Sequence, residues 1–287
     1  MTSMFAPPLI HRAQTFAILL VLAALGSFSD DADADDTKQI QTQWVEDLLS
    51  VPTPDGRRVV KWSGNVSVTI YYEKINEPGP LHLSLDSVES ITQLFETEFE
   101  QSSGRILDLS IVPFSHQLVP SVPDGGIAIY LTTLSSYSAI AQYLEATNDP
   151  RARTFTRMLF EASSAGILPY DPSCIFTYAI YDTNYLGGVY AIVDTNNFVI
   201  HSLRCLSRHL LAGVGIGSTE DNSAPSILAA LAPDSKIFKP TEFDYRMVTL
   251  LYDDGLRPSL LSDPDSQREF TRIVEEFMSG DGADVSP

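Results

Sequence analysis

Short β-branched and aromatic runs alternate in this chain with longer segments whose apolar residues recur at helical spacing. That alternation constrains the fold more than any other feature of the sequence. Residues 66–72 (VSVTIYY) alternate with a period of two and predict a strand. Asp86 then caps a helix reaching about Gln101, with Val88, Ile91, Leu94, Phe95 and Phe99 on one face, and Gly104 ends it. Residues 106–112 and 127–132 read as strands, and 136–147 and 151–165 as helices. Residues 174–181 (CIFTYAIY) and 189–193 (VYAIV) predict a strand pair that turns at Asp182-Thr183-Asn184. Helices are expected over 201–213, 224–232, 242–252 and 263–278, ahead of a disordered tail over 280–287. Upstream, 37–50 carries Ile40, Trp44 and Leu48 at helical spacing, with Val51 just beyond, until Pro52-Thr53-Pro54-Asp55-Gly56 breaks the pattern. Strands early with helices between them, and a helical C-terminal third, predict an α+β domain over 37–279: one mixed sheet covered by helices.

The N-terminus reads as an address. His11 and Arg12 precede a ten-residue apolar run, FAILLVLAAL, from Phe16 to Leu25. A spanning helix needs about 20 apolar residues, so this run is too short to be one. A positive flank, a short apolar core and small residues after it make a secretory signal, expected over 1–26 with cleavage after Gly26. Cleavage after Ala34 and retention as an anchor are the alternatives. Cleavage after Gly26 removes Arg12 and no acid, so 18 basic and 37 acidic residues become 17 and 37, and the charge moves from -19 to -20. Residues 27–36 form an acidic spacer. Its aspartates lack the glycine turn and terminal glutamate of a calcium loop. The expected location is periplasmic or secreted, with no stable membrane span after cleavage.

The charge narrows the partners. A chain at -19 repels phosphate backbones and anionic lipid head groups, so nucleic acid is excluded as a partner. An unknown envelope protein or ligand remains. No cofactor is expected.

The later segments resemble a known family. The runs RCLSRHLLAGVGI (204–216), SAPSIL (223–228) and FDYRMVTLLYDDGLRPSLL (243–261) are similar to the bacterial exported proteins of domain-of-unknown-function family 2927. In that family a Cys-led helix bearing two glutamates and a glutamine precedes a Gly-Leu turn. A short Ser-containing helix and a Leu-Tyr-Asp…Leu…Pro-Gly-Met signature follow. Leu251-Tyr252-Asp253, Leu256 and Pro258 match the last of these, and Lys61-Trp62, Val66 and Cys174 fall where the pattern places them. The resemblance covers about 59–261. It implies export and no particular activity. The family helix also looks like a degenerate zincin helix, whose His-Glu-x-x-His holds zinc between two imidazoles one turn apart. Aligned on Cys205, the corresponding positions are Arg208, His209 and Ala212. The family's glutamates and glutamine are absent, and Ser259-Leu260 replaces its Gly-Met. The resemblance therefore implies a zincin-like scaffold without a metal set.

Other constellations have bland readings. Cys174 and Cys205 are the only cysteines, and an even pair in an exported chain predicts a disulfide. The rival is a metal site on Cys205 and His209, which share a helix face with His201; it would need Cys174 or distant ligands to reach four. Gly213-x-Gly215-x-Gly217 follows a helix where a phosphate loop would follow a strand, so helix termination accounts for it. There is no Gly-x-Ser-x-Gly elbow. Asp253-Asp254 and Glu275-Glu276 point apart as neighbours and read as solvated. Tyr245, Met247, Leu250 and Leu251 read as core. Asn65-Val66-Ser67 is a glycosylation sequon at a strand start, and the bacterial setting argues against its use. The expected function is thus a non-catalytic envelope binding or scaffold domain with no catalytic residue. The alternative is a peptidase-like hydrolase in which His209, His116 or His82 meets an acid or a hydroxyl.

Overall fold

The computed structural model describes residues 37–74, 83–115, 125–147, 150–164, 174–180, 184–229 and 237–279. The signal, the acidic spacer, His82, His116, the 182–183 part of the turn and the C-terminal tail lie outside them. Residues 1–43 and 44–287 are two compact units. A helix, α1, covers 37–49, and its first residues are the described part of the first unit.

The architecture of the second unit is α+β, as the alternation predicts. Strands β1 (Val51–Thr53) and β2 (Gly56–Val59) form a hairpin, followed by β3 (Val66–Glu73), α2 (Leu85–Ser103), β4 (Leu107–Phe114) and β5 (Ile127–Thr132). Single 3-10 turns lead into α3 (Tyr137–Thr147) and α4 (Arg153–Ser164). Strands β6 (Cys174–Ile180) and β7 (Leu186–Asp194) precede α5 (Val199–Gly213), α6 (Glu242–Tyr252), β8 (Ser259–Leu260) and α7 (Pro264–Ser279). The main sheet has the order β4-β3-β5-β7-β6. Its first four strands are parallel, and β6 is an antiparallel edge paired with β7 from Cys174 opposite Val193 to Ile180 opposite Leu186.

The two faces of the sheet differ in chemistry. Val66, Val68, Ile70, Ile127, Ile129, Leu131, Val189, Ala191 and Val193 face one way, into an aliphatic core shared with α2, α5, α6 and α7. The alternate residues Tyr71, Tyr130, Tyr190 and Ile192 face α3 and α4. There Tyr71 stacks on Tyr130 at 5.0 Å, Tyr130 on Phe155 at 6.3 Å and Phe155 on Tyr190 at 5.8 Å between ring centroids. A strict two-residue period sends one chemistry to each face.

Two sequence expectations need correction. Residues 224–229 are turns and bends, not the start of a helix. Side chains claim the backbone groups a helix would use. Asp244, 0% exposed, accepts from the Ser226 hydroxyl, from the Ile227 amide at 3.1 Å and from the Thr241 amide at 2.8 Å. The Thr241 hydroxyl donates to the Pro225 carbonyl at 2.6 Å. Burial pushes the Asp244 carboxyl upward, and these donors pull it back. Second, the Pro-rich break after α1 is the β1–β2 hairpin, completed by β8 into a small antiparallel sheet in which Leu261 donates to Arg57 at 2.8 Å.

Lys61, Trp62 and Tyr252 meet at the C-terminal ends of α5 and α6. Lys61, buried, donates through Nζ to the carbonyls of Leu251 and Asp253 at 3.1 Å and of Leu256 at 2.7 Å. The indole N–H of Trp62 donates to Gly213 at 2.9 Å, and the Tyr252 hydroxyl to Val214 at 2.9 Å. The glycines fit between these partners. A Cβ on Gly215, whose φ is +108°, would sit 2.4 Å from the Val60 carbonyl, and one on Gly217 would sit 2.3 Å from those of Asp47 and Ser50. The Gly213–Gly217 run is thus a helix end in close backbone contact.

Gly215→Ala combines a left-handed backbone with a clash against main chain, so it is expected to destabilise the fold by about 3 kcal/mol or more. Chemical denaturation checks this: a loss within the ordinary surface range of about 0.5 kcal/mol would contradict the packing described.

Candidate functional site

Helix α5 presents a stripe at 201, 204, 205, 208, 209 and 212, the i, i+3, i+4, i+7 pattern of one helical face. That stripe does not pack wholly into the core. With Phe176 and Cys174 of the edge strand and with Ser218 and Leu228, it lines a cavity of about 530 Å³. Arg208, His209 and Ala212 all border this space.

Cys174 and Cys205 are joined in a disulfide, with Cα atoms 5.7 Å apart, that ties β6 to α5. His209 sits behind it, 3% exposed. Its Nε2 lies 3.2 Å from the Ile192 carbonyl and 3.3 and 3.5 Å from the sulfurs of Cys205 and Cys174. A carbonyl only accepts, so the bond to Ile192 places the proton on Nε2. The ring also stacks on Phe176, with centroids 5.6 Å apart and planes 17° apart. Burial drives its pKa down, the Ile192 bond opposes this and the Arg208 charge adds to it, leaving the imidazole at about 3.

Cys174, Cys205 and His209 are also the group of described residues with metal-ligand spacing, their ligand atoms all lying within 4.8 Å of one another. Two facts oppose zinc in the oxidised chain. The sulfurs are bonded to each other, and only thiolates bind the ion well. The Nε2 lone pair, which a metal needs, is replaced by a proton directed at Ile192. The residues present therefore do not fit a catalytic zinc, which needs three protein ligands and an open position.

Arg204 and Arg208 stand one turn apart, about 6 Å along the helix. Arg204 is 9% exposed, and its Nε–H donates to the Ile237 carbonyl at 2.9 Å. Ser207 donates to Phe238 at 2.8 Å, so the 237–238 segment runs along this helix. Among the described lining residues there is no aspartate or glutamate.

The sequence expectations divide accordingly. The disulfide is present, and Arg208, His209 and Ala212 share one cavity wall with it. Arg204, Phe176, Ser218 and Leu228 were not foreseen as site residues. The sequence signal for Arg204 is the basic stripe at 201, 204 and 208, on the same helix face as Cys205 and His209. Among the described residues no helix is long and apolar enough to cross a membrane. Comparison with protein-family models and with curated proteins finds no match to this chain.

Two predictions follow from the buried histidine and the crosslink. The unfolded chain takes a proton on His209 near pH 6.5, whereas the folded chain takes one only near pH 3. The stability this group contributes is therefore full above pH 6.5 and is lost as pH falls toward 3, by as much as about 5 kcal/mol. Urea titrations of wild type and His209→Phe between pH 7 and 4 should converge as the pH falls; parallel curves would exclude a buried neutral imidazole. Cys205→Ser opens a crosslink between residues 31 apart in sequence, at a cost of about 3–4 kcal/mol. The native chain should take up no alkylating agent until it is reduced.

Proposed function

We propose that this chain is an exported, non-catalytic binding domain on a zincin-like scaffold, as its resemblance to family 2927 implies. The observation that carries the reading is the occupancy of the three helix positions facing the cavity. Arg208 is a permanent cation, Ala212 offers no ligand, and His209 holds its Nε2 proton against Ile192. Arginine cannot act as a base or a metal ligand, because it stays protonated. An imidazole with a pKa of about 3, walled in by a disulfide and a phenyl ring, cannot exchange protons with substrate near neutrality. The cavity itself persists, and its volume lies within the range of small-molecule sites.

Export is supported by the signal-like N-terminus and by the disulfide, which an oxidising compartment maintains. The expected partner is a ligand or envelope component of the periplasm or the exterior. A hydrolase reading would need a histidine facing an acid or hydroxyl. His209 instead meets a backbone carbonyl and two sulfurs.

Protein purified from the exported fraction is expected to carry less than a tenth of an equivalent of zinc and to leave casein and generic peptide substrates uncut. Elemental analysis alongside a peptidase assay tests this. Stoichiometric zinc whose removal by chelator abolishes a hydrolytic activity would overturn the reading.

A further inference from the structure

The disulfide between Cys174 and Cys205 has a third member in the His209 ring, whose Nε2 lies beside both sulfurs. We infer that the dithiol form of this chain holds one copper(I) ion between the two sulfurs and Nε2 of His209, a site that the disulfide closes. The inference stands apart from the binding-domain reading, because an ion held by three protein ligands in a plane leaves no coordination position for a substrate.

The geometry is nearly that of a ligand set. Cys174 opens β6, paired opposite Val193, while Cys205 and His209 stand at i and i+4 on one face of α5. Nε2 lies 3.3 Å from the Cys205 sulfur and 3.5 Å from that of Cys174. Ligands on one ion, with bonds of about 2.3 Å to sulfur and about 2.0 Å to nitrogen, stand about 3.6–3.8 Å apart at tetrahedral or trigonal angles. The imidazole is therefore within a few tenths of an ångström of a ligand position toward both sulfurs. Only the sulfurs must part, and Cα atoms 5.7 Å apart let both side chains reach a common ion. The stack on Phe176 holds the ring plane in place before any ion arrives.

The donors choose the ion. Thiolates are soft ligands that select copper(I), and two sulfurs with one nitrogen satisfy its preference for few ligands. A structural zinc asks for four, and this group supplies three. The exchange balances. A dithiol reductant passes two electrons and two protons to the Cys174–Cys205 bond, leaving as its own disulfide and the chain as two thiols. On binding, two copper–sulfur bonds and one copper–nitrogen bond form, and the two thiol protons go to solvent. The imidazole stays neutral. Its proton moves from Nε2, where it faces Ile192, to Nδ1, and the Nε2 lone pair goes to the ion. A disulfide donor takes the two electrons back, re-forms the bond and expels the ion.

Titration of the exported protein with copper(I) buffered by bicinchoninate tests the inference, once on the oxidised chain and once after reduction by dithiothreitol and desalting under argon. The reduced chain is expected to keep its near-ultraviolet circular dichroism and to bind one equivalent. The oxidised chain should bind less than a tenth of one. Zinc should bind the reduced chain at least about a hundredfold more weakly. His209→Phe, which keeps both thiols, should weaken copper at least about tenfold. X-ray absorption of the wild-type complex should show two sulfur neighbours and one nitrogen, and it serves if the phenylalanine variant fails to fold. A reduced chain that unfolds, or that stays folded and takes up no copper, overturns the inference. Equal binding by the oxidised chain overturns it too, as does undiminished binding by a folded His209→Phe or a shell of sulfur alone. Zinc held as tightly as copper overturns the choice of ion.

Discussion

The end of α5 is the constraint on which the rest of the molecule depends. Over five residues the chain leaves the helix, passes under Val60 and reaches Leu48, where the Gly217 amide donates at 2.7 Å. Trp62 and Tyr252 each use a side-chain donor to satisfy a carbonyl in this stretch, those of Gly213 and Val214. Helix termini leave carbonyls without intrahelical partners, and buried ones are costly unless satisfied. Lys61 does the same for the end of α6, with one ammonium serving three carbonyls. Burial lowers the pKa of that ammonium, a cost that the concentration of acceptors offsets. Trp62 and Lys61 thus place the ends of α5 and α6 against one short segment of chain.

Because α5 is fixed at its end, its cavity face is fixed along its whole length. Ser202 anchors the first turn to the Asp194 carbonyl at 2.9 Å. The disulfide and the His209 bond hold the middle to β6 and β7. Arg204 and Ser207 hold the flank to 237–238. Of the tied residues, Cys174, Arg204, Cys205 and His209 line the cavity, so its wall is held by side chains fixed to the surrounding backbone.

This division explains what could be read from the sequence. The main strands and helices were legible because burial on two faces imposes periods of 2 and 3.6 on apolar residues, and side chains such as Tyr130 and Phe95 obey them. The disulfide was legible because only two cysteines exist. Residues 224–229 were misread because their composition suits a helix, while the groups that prevent one, Asp244 and Thr241, lie some 16 to 18 residues away in sequence. The small sheet was missed because β8 has two residues and its partners flank a proline-rich turn. Arg204 was not legible as a site residue because only the fold shows that its helix face borders a cavity.

The chemistry open to the wall follows from its side chains, with arginine at 208, a buried imidazole at 209 and alanine at 212. A divalent ion at such a helix would attract anions and, through an open coordination position, lower the pKa of a bound water toward neutrality. A guanidinium attracts the same anions by the same Coulomb term, and its planar fork adds geometric fit. It has no coordination position and no accessible proton equilibrium, so it cannot generate a hydroxide. The buried imidazole of His209 is neutral, its Nε2 proton committed to Ile192. The disulfide acts in the same direction, because the two sulfurs beside His209 are spent on each other.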